Sequence, residues 1–223
     1  MDRITNTTAT AVDAFLKEIQ SATVKGGGRL IFAVDATASR EATWDAACKL
    51  QVDMFRAAAA IGGLEIQLVY YRGIGECRAS KWVGDSELLT RMMEKVMCRA
   101  GETQIRRVLE HAQRESERGK VSALVFVGDA CEENRDELAT AAVALGRAGV
   151  PAFMFQEGDA PTVKRVFGEI ANLTHGAYGS FNVGAADQLR ELLRAVAVFA
   201  VGGLTALASR HDAGAVKLLG QLK

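Results

Sequence analysis

The chain has 223 residues, of which 49% are hydrophobic and 24% charged, a composition typical of a soluble globular protein with one large domain. Its 27 basic residues equal its 27 acidic ones, so the formal net charge is zero; this argues against a general nucleic-acid binder and against a polybasic membrane-surface protein. Residues 1–25 lack the basic start and apolar core of a secretory signal, and we therefore expect a cytoplasmic protein.

The predicted elements alternate between strands and helices along most of the chain. Short apolar runs such as Leu30–Val34 and Ala123–Val127 are typical of parallel strands that are buried on both faces. In chain order we predict a helix over 12–19, a strand over 30–34, a helix over 41–60, strands over 64–71 and 77–83, a helix over 85–98, a helix starting at 103, a strand over 123–127, a helix over 136–148, a strand over 152–155, a helix over 162–173, a strand over 177–181 and a helix over 186–198. This order predicts an α/β fold with a doubly wound, mostly parallel six-stranded sheet, one antiparallel edge strand and helices on both faces.

The same reading divides the chain into three parts. Residues 1–28 form an N-terminal helix and linker, residues 29–200 the α/β domain, and residues 201–223 a C-terminal extension. The longest apolar stretch, residues 195–208, is shorter than the roughly 20 residues that a membrane span needs, and arginines bound it closely. We therefore expect a buried helix end there and no membrane partner.

Oxygen-bearing side chains follow two of the predicted strands. Asp35, Thr37 and Ser39 stand at alternate positions directly after the first strand, and Asp129 follows the strand over 123–127. Thr103 lies in a loop that leads into a helix. Ligand sites of open α/β sheets lie at the carboxyl ends of the strands, and hydroxyl and carboxylate oxygens are the ligands that Mg²⁺ prefers. The sequence therefore predicts a divalent-cation site at this edge of the sheet.

This pattern resembles the von Willebrand factor A domain, which is shared with the integrin inserted domain and also occurs as stand-alone bacterial proteins. The metal-ion-dependent adhesion site of that family has the signature Asp-x-Ser-x-Ser, then a distant Thr, then a distant Asp. Thr37 replaces the first Ser of the signature, which keeps the hydroxyl and adds a methyl group. The resemblance covers residues 29–199 and is carried by Asp35-x-Thr37-x-Ser39, Gly101-Glu102-Thr103 and Gly128-Asp129.

The resemblance implies a Rossmann-like fold and a protein-interaction module that holds Mg²⁺ or Mn²⁺. In the family, hydroxyls matching Thr37, Ser39 and Thr103 bind the ion, while carboxylates matching Asp35 and Asp129 act largely through water. The ion then remains electrophilic, and an acidic side chain of a partner protein completes its coordination. Bacterial relatives suggest, by analogy only, an ATPase or a larger assembly as that partner.

Four further side chains are candidates for a partner-binding rim around the ion. Glu102, Glu132 and Glu133 would add carboxylates beside the site, and Trp82 would offer an exposed aromatic anchor. Arginines near the Thr103 loop could equally favour an acidic partner or form a solvated helix face.

Two other functions stay open on the sequence. The first is a metal-free scaffold in which the five site residues only cap helices, since Asp, Thr and Ser are favoured at helix N-termini. The second is a metal-dependent phosphoryl or ester hydrolase that uses the same cluster. Since the motif segments contain no evident nucleophile or general base, we do not expect an enzyme.

Overall fold

A computed structural model of the chain describes residues 27–44, 63–182 and 186–222. The strands are β1 (Gly28–Asp35), β2 (Leu64–Arg72), β3 (Glu76–Ala79), β4 (Ala123–Gly128), β5 (Ala152–Glu157) and β6 (Ala177–Phe181). They form one sheet in the order β3-β2-β1-β4-β5-β6. Every neighbouring pair is parallel except β2 and β3, which are antiparallel at one edge. The predicted doubly wound, mostly parallel sheet with one antiparallel edge strand is confirmed.

Helices cover both faces of this sheet. In chain order they are a 3-10 helix (Ala38–Thr43), α1 (Ser86–Glu94), α2 (Ile105–Arg118), α3 (Arg135–Arg147), α4 (Pro161–Leu173), α5 (Ala186–Ala208) and α6 (Ala213–Leu219). Asp85 caps α1 and Asn134 caps α3, because each side chain accepts hydrogen bonds from two backbone amides of the first turn. The helices predicted over 12–19 and, from residue 45 onwards, over 41–60 lie outside the described residues.

Two apolar clusters form the core, one on each side of the sheet. Alternate residues of β1 point to opposite faces, so Phe32 packs with α1, α5 and α6 while Ile31 packs with α2, α3 and α4. The side chains of Leu30–Val34 have no solvent-exposed surface, which explains why this strand is continuously apolar. The strand that leads into the candidate site is therefore held rigidly from both faces.

The C-terminal residues belong to the same core rather than forming a separate extension. Helix α5 runs past residue 200 to Ala208, with a break at Gly203, whose φ is 67°. Leu207 of α5 and Leu218 of α6 are fully buried in the cluster that covers one sheet face. Among the described residues, one segment, Asp187–Ala208, is long and apolar enough to cross a membrane by length and composition. Its buried side chains pack on the sheet, as in the core helix of a globular domain.

Three further element boundaries differ from the predictions for reasons that the structure shows. Strand β3 ends at Ala79 rather than continuing to Val83, because the Ser80 hydroxyl accepts the Leu68 amide and interrupts the ladder. Helix α1 ends at Glu94 rather than near residue 98. The amides of Lys95 and Val96 donate to carbonyls three residues back, so the last turn tightens and the helix stops. Helix α2 begins at Ile105 rather than at Thr103, for a reason that belongs to the site.

Candidate functional site

The candidate site lies at the carboxyl edge of the sheet, where β1 and β4 run side by side. Val34 of β1 is paired with Val127 of β4, so Asp35 and Gly128 come next to each other as both strands end. A side chain at Gly128 would lack room, because its Cβ would lie 2.9 Å from the Phe126 ring and 3.4 Å from the Asp35 Cβ. The glycine thus lets the chain carrying Asp129 pass close to Asp35.

The Asp35 carboxylate is buried and held from two directions. Its Oδ1 accepts the Thr37 amide at 2.8 Å, and its Oδ2 accepts the Tyr71 hydroxyl at 2.8 Å. Burial raises the pKa of Asp35, the bonds from Thr37 and Tyr71 lower it, and the charge of Asp129 raises it further. Burial, then the charge of Asp35, raises the pKa of Tyr71 well above its usual range, so the phenol stays a donor.

Thr37 and Ser39 present hydroxyls to a cleft beside this carboxylate. The Thr37 Oγ1 lies 3.1 Å from the Ser39 Oγ. Thr37 is buried and Ser39 is exposed, so the pair spans the depth of the cleft. The cleft has a volume of about 200 Å³ and is also lined by Thr103 and Glu132. Hydroxyls from two distant parts of the chain therefore face one space.

Thr103 is fixed by a reciprocal pair of hydrogen bonds with Glu132. The Thr103 amide donates to the Glu132 carboxylate at 3.1 Å, and the Glu132 amide donates to the Thr103 hydroxyl at 3.1 Å. The next residue, Gln104, has a non-helical backbone with φ −134° and ψ 44°, so α2 begins only at Ile105. The hydroxyl accepts one bond and keeps a second lone pair for a cation.

The Asp129 carboxylate is the group of the site whose hydrogen bonding is incomplete. Its Oδ1 is buried and has no hydrogen-bond partner among the described residues. Asp129 follows Gly128, beside Asp35, and precedes Ala130, which lines the cleft. Buried carboxylate oxygens are normally hydrogen-bonded or bound to a metal, since leaving one without a partner is unfavourable.

Two arrangements anchor the loops around the cleft. Arg40 of the 3-10 helix is 1% exposed and forms an ion pair with Glu157 at the end of β5. Across the cleft, a Cβ at Gly101 would lie 2.1 Å from the Gly73 carbonyl oxygen, so the loop before Thr103 packs on the β2–β3 turn through bare backbone. Sequence reasoning missed Tyr71, Arg40 and Glu157, because their roles depend on strand order and register rather than on any local motif.

The predicted rim residues lie in different places. Glu102 is exposed beside Thr103, and Glu132 lines the cleft. Glu133 instead caps α2, since its carboxylate accepts the amides of Ile105 and Arg106. Burial raises the pKa of Glu133, and the bonds from those two amides lower it. Glu133 therefore has a structural role as the cap of α2, which the sequence did not predict.

Trp82 does not lie at the rim either. Its neighbour Val83 forms an isolated β-bridge with Ile66, near the amino end of β2. The candidate site lies at the carboxyl ends of the strands, so Trp82 is at the other end of the sheet. The half-buried Trp82 indole donates to Glu115 at 2.9 Å, and the Arg29 guanidinium lies 5.1 Å from its ring centroid. These contacts hold the end of α2 against the sheet.

The helix-capping alternative finds no support at four of the five site residues. Thr37 occupies the N-cap position of the 3-10 helix, but its side chain makes no capping bond. Thr103 is not the N-cap of α2, and Asn134 rather than Asp129 caps α3. Asp35 accepts the amide of Thr37, two residues on, which is a turn-type bond that fixes the loop.

The donor set at the cleft fits a hard divalent cation. Thr37, Ser39 and Thr103 line the cleft with hydroxyl-bearing side chains, whereas Asp35 and Asp129, at the ends of β1 and β4, are not among the residues that line it. The Asp129 Oδ1 has no partner among the described residues, and the Asp35 carboxylate keeps free lone pairs. In the described part of the chain no group of three or more His, Cys, Asp or Glu side chains is placed to hold a metal, so a site made mainly of protein carboxylates, imidazoles or thiolates is not formed there. A set of mostly neutral donors would leave much of the charge of a bound cation uncompensated.

Comparison with known proteins identifies the fold. No protein-family model and no curated protein matches the sequence. Among solved structures, the SpRpn10 VWA domain superposes with a TM-score of 0.59 at 11% identity, over 73% of this chain and 94% of that one. An aerotolerance-related membrane protein from Bacteroides fragilis gives a TM-score of 0.60 at 15% identity, over 75% and 96%. Proximal thread matrix protein 1 from the mussel byssus, with a zinc-occupied MIDAS motif, gives 0.63 at 15%, over 77% and 46%.

These likenesses establish the fold, which is the von Willebrand factor A fold that the motif resemblance predicts. The identities of 11–15% carry no further conclusion about metal or partner. Those questions depend on the residues of this chain.

Proposed function

From this fold and the donors at its sheet edge, we propose that the chain is a protein-interaction module that recognises its partner through a bound Mg²⁺ or Mn²⁺. The hydroxyls of Thr37, Ser39 and Thr103 would hold the ion, and Asp35 and Asp129 would act from its far side, largely through water. Such an ion supplies a positive centre that attracts an anionic group from outside the protein.

The buried, unpartnered Oδ1 of Asp129 carries this proposal. Asp129 follows Gly128 beside Asp35, and its charge contributes, as the smallest of the causes, to the raised pKa of Asp35. Two like charges in this position disfavour the folded chain, and a dication between them removes the penalty. Metal binding therefore explains why a buried carboxylate oxygen is left without a hydrogen bond, an arrangement that would otherwise only destabilise the folded chain.

The composition of the shell supports recognition rather than catalysis. Its direct ligands would be neutral hydroxyls, which leave most of the charge of the ion uncompensated. The described residues that line the cleft include no His, Cys or Lys that could act as nucleophile or general base. A Glu or Asp side chain of a partner protein is the group best matched to the site, and an ATPase or a member of a larger assembly is the partner class we propose by analogy.

Affinity capture tests this function. The full chain is immobilised and exposed to cell extract in Mn²⁺ or in EDTA, alongside Asp129→Asn and the matched control Glu117→Gln, an exposed position at the far end of α2. We expect a defined set of proteins to be retained by the wild type and the control in Mn²⁺ and to be lost in EDTA and with Asp129→Asn. Equal retention in all four conditions would contradict the proposal.

A further inference from the structure

Among the described residues, the two edge strands of the sheet differ in whether a side chain covers their outer backbone groups. At β6, the Gln221 side chain covers the strand edge: its amide donates to the Tyr178 carbonyl at 2.9 Å, and its carbonyl accepts the Tyr178 amide at 2.9 Å. At β3, no side chain plays this role within the described residues. An uncovered strand edge is a template for another strand.

The register shows which backbone groups β3 presents outward. Ser80 donates its amide to Leu68 at 2.8 Å, and Arg78 is paired with Tyr70. Because bonded and non-bonded pairs alternate in an antiparallel ladder, Arg78 faces β2 with its backbone while Cys77 and Ala79 face away. No hydrogen bond of the Cys77 or Ala79 backbone is found in the part of the chain that the structure describes.

A basic groove runs along this edge. It has a volume of about 320 Å³ and lies between β3 and α2. Arg107, His111 and Arg114 of α2 line it, and Glu110 is the one acidic side chain among its lining residues. Arg78 borders the groove from β3, but it is paired with Tyr70 and its side chain lies on the sheet face opposite to Cys77 and α2. Glu110 is shared over long distances, 3.9 Å to Arg114 and 3.7 Å to Arg106, so it leaves the groove positive.

The arginines of α2 act on β3 itself. Burial raises the pKa of the Cys77 thiol, and the charges of Arg107 and Arg114 lower it. Arg107 also donates to the Gly75 carbonyl at 2.7 Å, at the turn before β3. The positive charge of these two arginines therefore acts on β3, the strand with outward-facing backbone groups.

We propose that the β3 edge and this arginine groove form a second docking surface, which binds an extended acidic segment of a partner protein as an added strand. The backbone of β3 supplies the ladder bonds, and Arg107 and Arg114 select carboxylates on the incoming segment. A nucleic acid would satisfy the charge but not the outward amide and carbonyl groups of Cys77 and Ala79. This surface is separate from the metal cleft and does not depend on it.

The surface is tested on the full chain in EDTA, so that the outcome is independent of the metal site. A displayed library of random peptides is selected at low salt, and the selected sequences are synthesised with a fluorescent label. Binding is then measured by anisotropy to the wild type, to the charge-reversal variant Arg114→Glu, to Ala79→Pro and to the control Arg165→Glu. Ala79→Pro removes an outward amide and no bond to β2, and Arg165 is exposed on α4 beyond the groove.

We expect the selected peptides to be rich in Asp and Glu and poor in Pro. Their affinity should fall about tenfold with the charge reversal and clearly with Ala79→Pro, stay unchanged with Arg165→Glu, and weaken as salt is added. Thermal unfolding of each variant identifies any that is misfolded. Selection without acidic enrichment, equal binding to all variants, or groove-dependent binding of a labelled oligonucleotide instead of peptides would overturn the proposal.

Discussion

At the scale of single residues, the site depends on how one buried carboxylate is held. Asp35 receives a backbone amide on one oxygen and the Tyr71 hydroxyl on the other. Both bonds stabilise the charged form against burial, which otherwise disfavours it. Tyr71 is therefore the residue outside the motif whose loss should disturb the site most.

Removing the Tyr71 hydroxyl should weaken both the fold and the site. In Tyr71→Phe the pKa of Asp35 should rise further, and the free energy of unfolding should fall by about 1.5–3 kcal/mol, the usual worth of a hydrogen bond to a charged group. Urea unfolding without metal measures this. Tyr70→Phe is the matched control, since no hydrogen bond of the Tyr70 hydroxyl is found among the described residues. Similar losses in both variants would show that the Asp35 contact is not what matters.

The sequence predicted which residues lie near the cleft better than it predicted their bonds. Thr37, Ser39 and Thr103 line one space, as expected from motif and strand order. Which side chains fix them depends on register, and Tyr71 meets Asp35 only because the two residues are paired across β1 and β2. No spacing in the sequence encodes that pairing, because strand 64–71 could slide or pair elsewhere.

At the scale of elements, the start of α2 is the feature that local sequence misplaced. Thr103 reads as a helix start, yet its amide is bound to Glu132 and the helix begins at Ile105. The N-cap residue, Gln104, makes no side-chain capping bond. Glu133, from the loop after β4, supplies the accepting carboxylate instead. Because Glu133 is 28 residues away from Ile105 in the sequence, this cap cannot be recognised from the residues next to the helix.

Loss of this remote cap should destabilise the domain modestly. Glu133→Ala leaves the first amides of α2 without their acceptor, so the free energy of unfolding should fall by about 1 kcal/mol, as for other lost caps. Glu102→Ala removes an exposed carboxylate next to Thr103 and should change stability by less than about 0.5 kcal/mol. Urea unfolding of both variants makes the comparison; a larger effect of Glu102→Ala would refute the assignment of the cap.

At the scale of the whole molecule, the C-terminal helices complete one face of the core. The sequence predicted six strands, their alternation with helices and the antiparallel edge, because buried apolar runs and turn residues carry that pattern. It assigned residues 201–223 to a C-terminal extension. Packing decides otherwise: α5 continues and α6 returns to bury Leu218.

The contribution of α6 can be measured with two substitutions on the same helix. Leu218→Ala empties a fully buried position and should lower the free energy of unfolding by about 2–5 kcal/mol. Val216→Ala changes a residue that is 59% exposed and should cost less than about 0.5 kcal/mol. Thermal or urea unfolding compares them. If Leu218→Ala were as mild as Val216→Ala, α6 would not contribute to the core.

Metal-dependent stability is the most direct measurement of the central claim. Thermal unfolding and calorimetric titration with Mn²⁺ and Mg²⁺ are compared for the wild type, Asp129→Asn and the control Glu117→Gln. We predict that metal at about 100 times its dissociation constant stabilises the wild type and the control by about 2.7 kcal/mol. Asp129→Asn should not respond to metal, and without metal it should be at least as stable as the wild type, because one of two crowded carboxylates is gone. A wild-type protein that neither binds nor is stabilised by either cation would contradict the account.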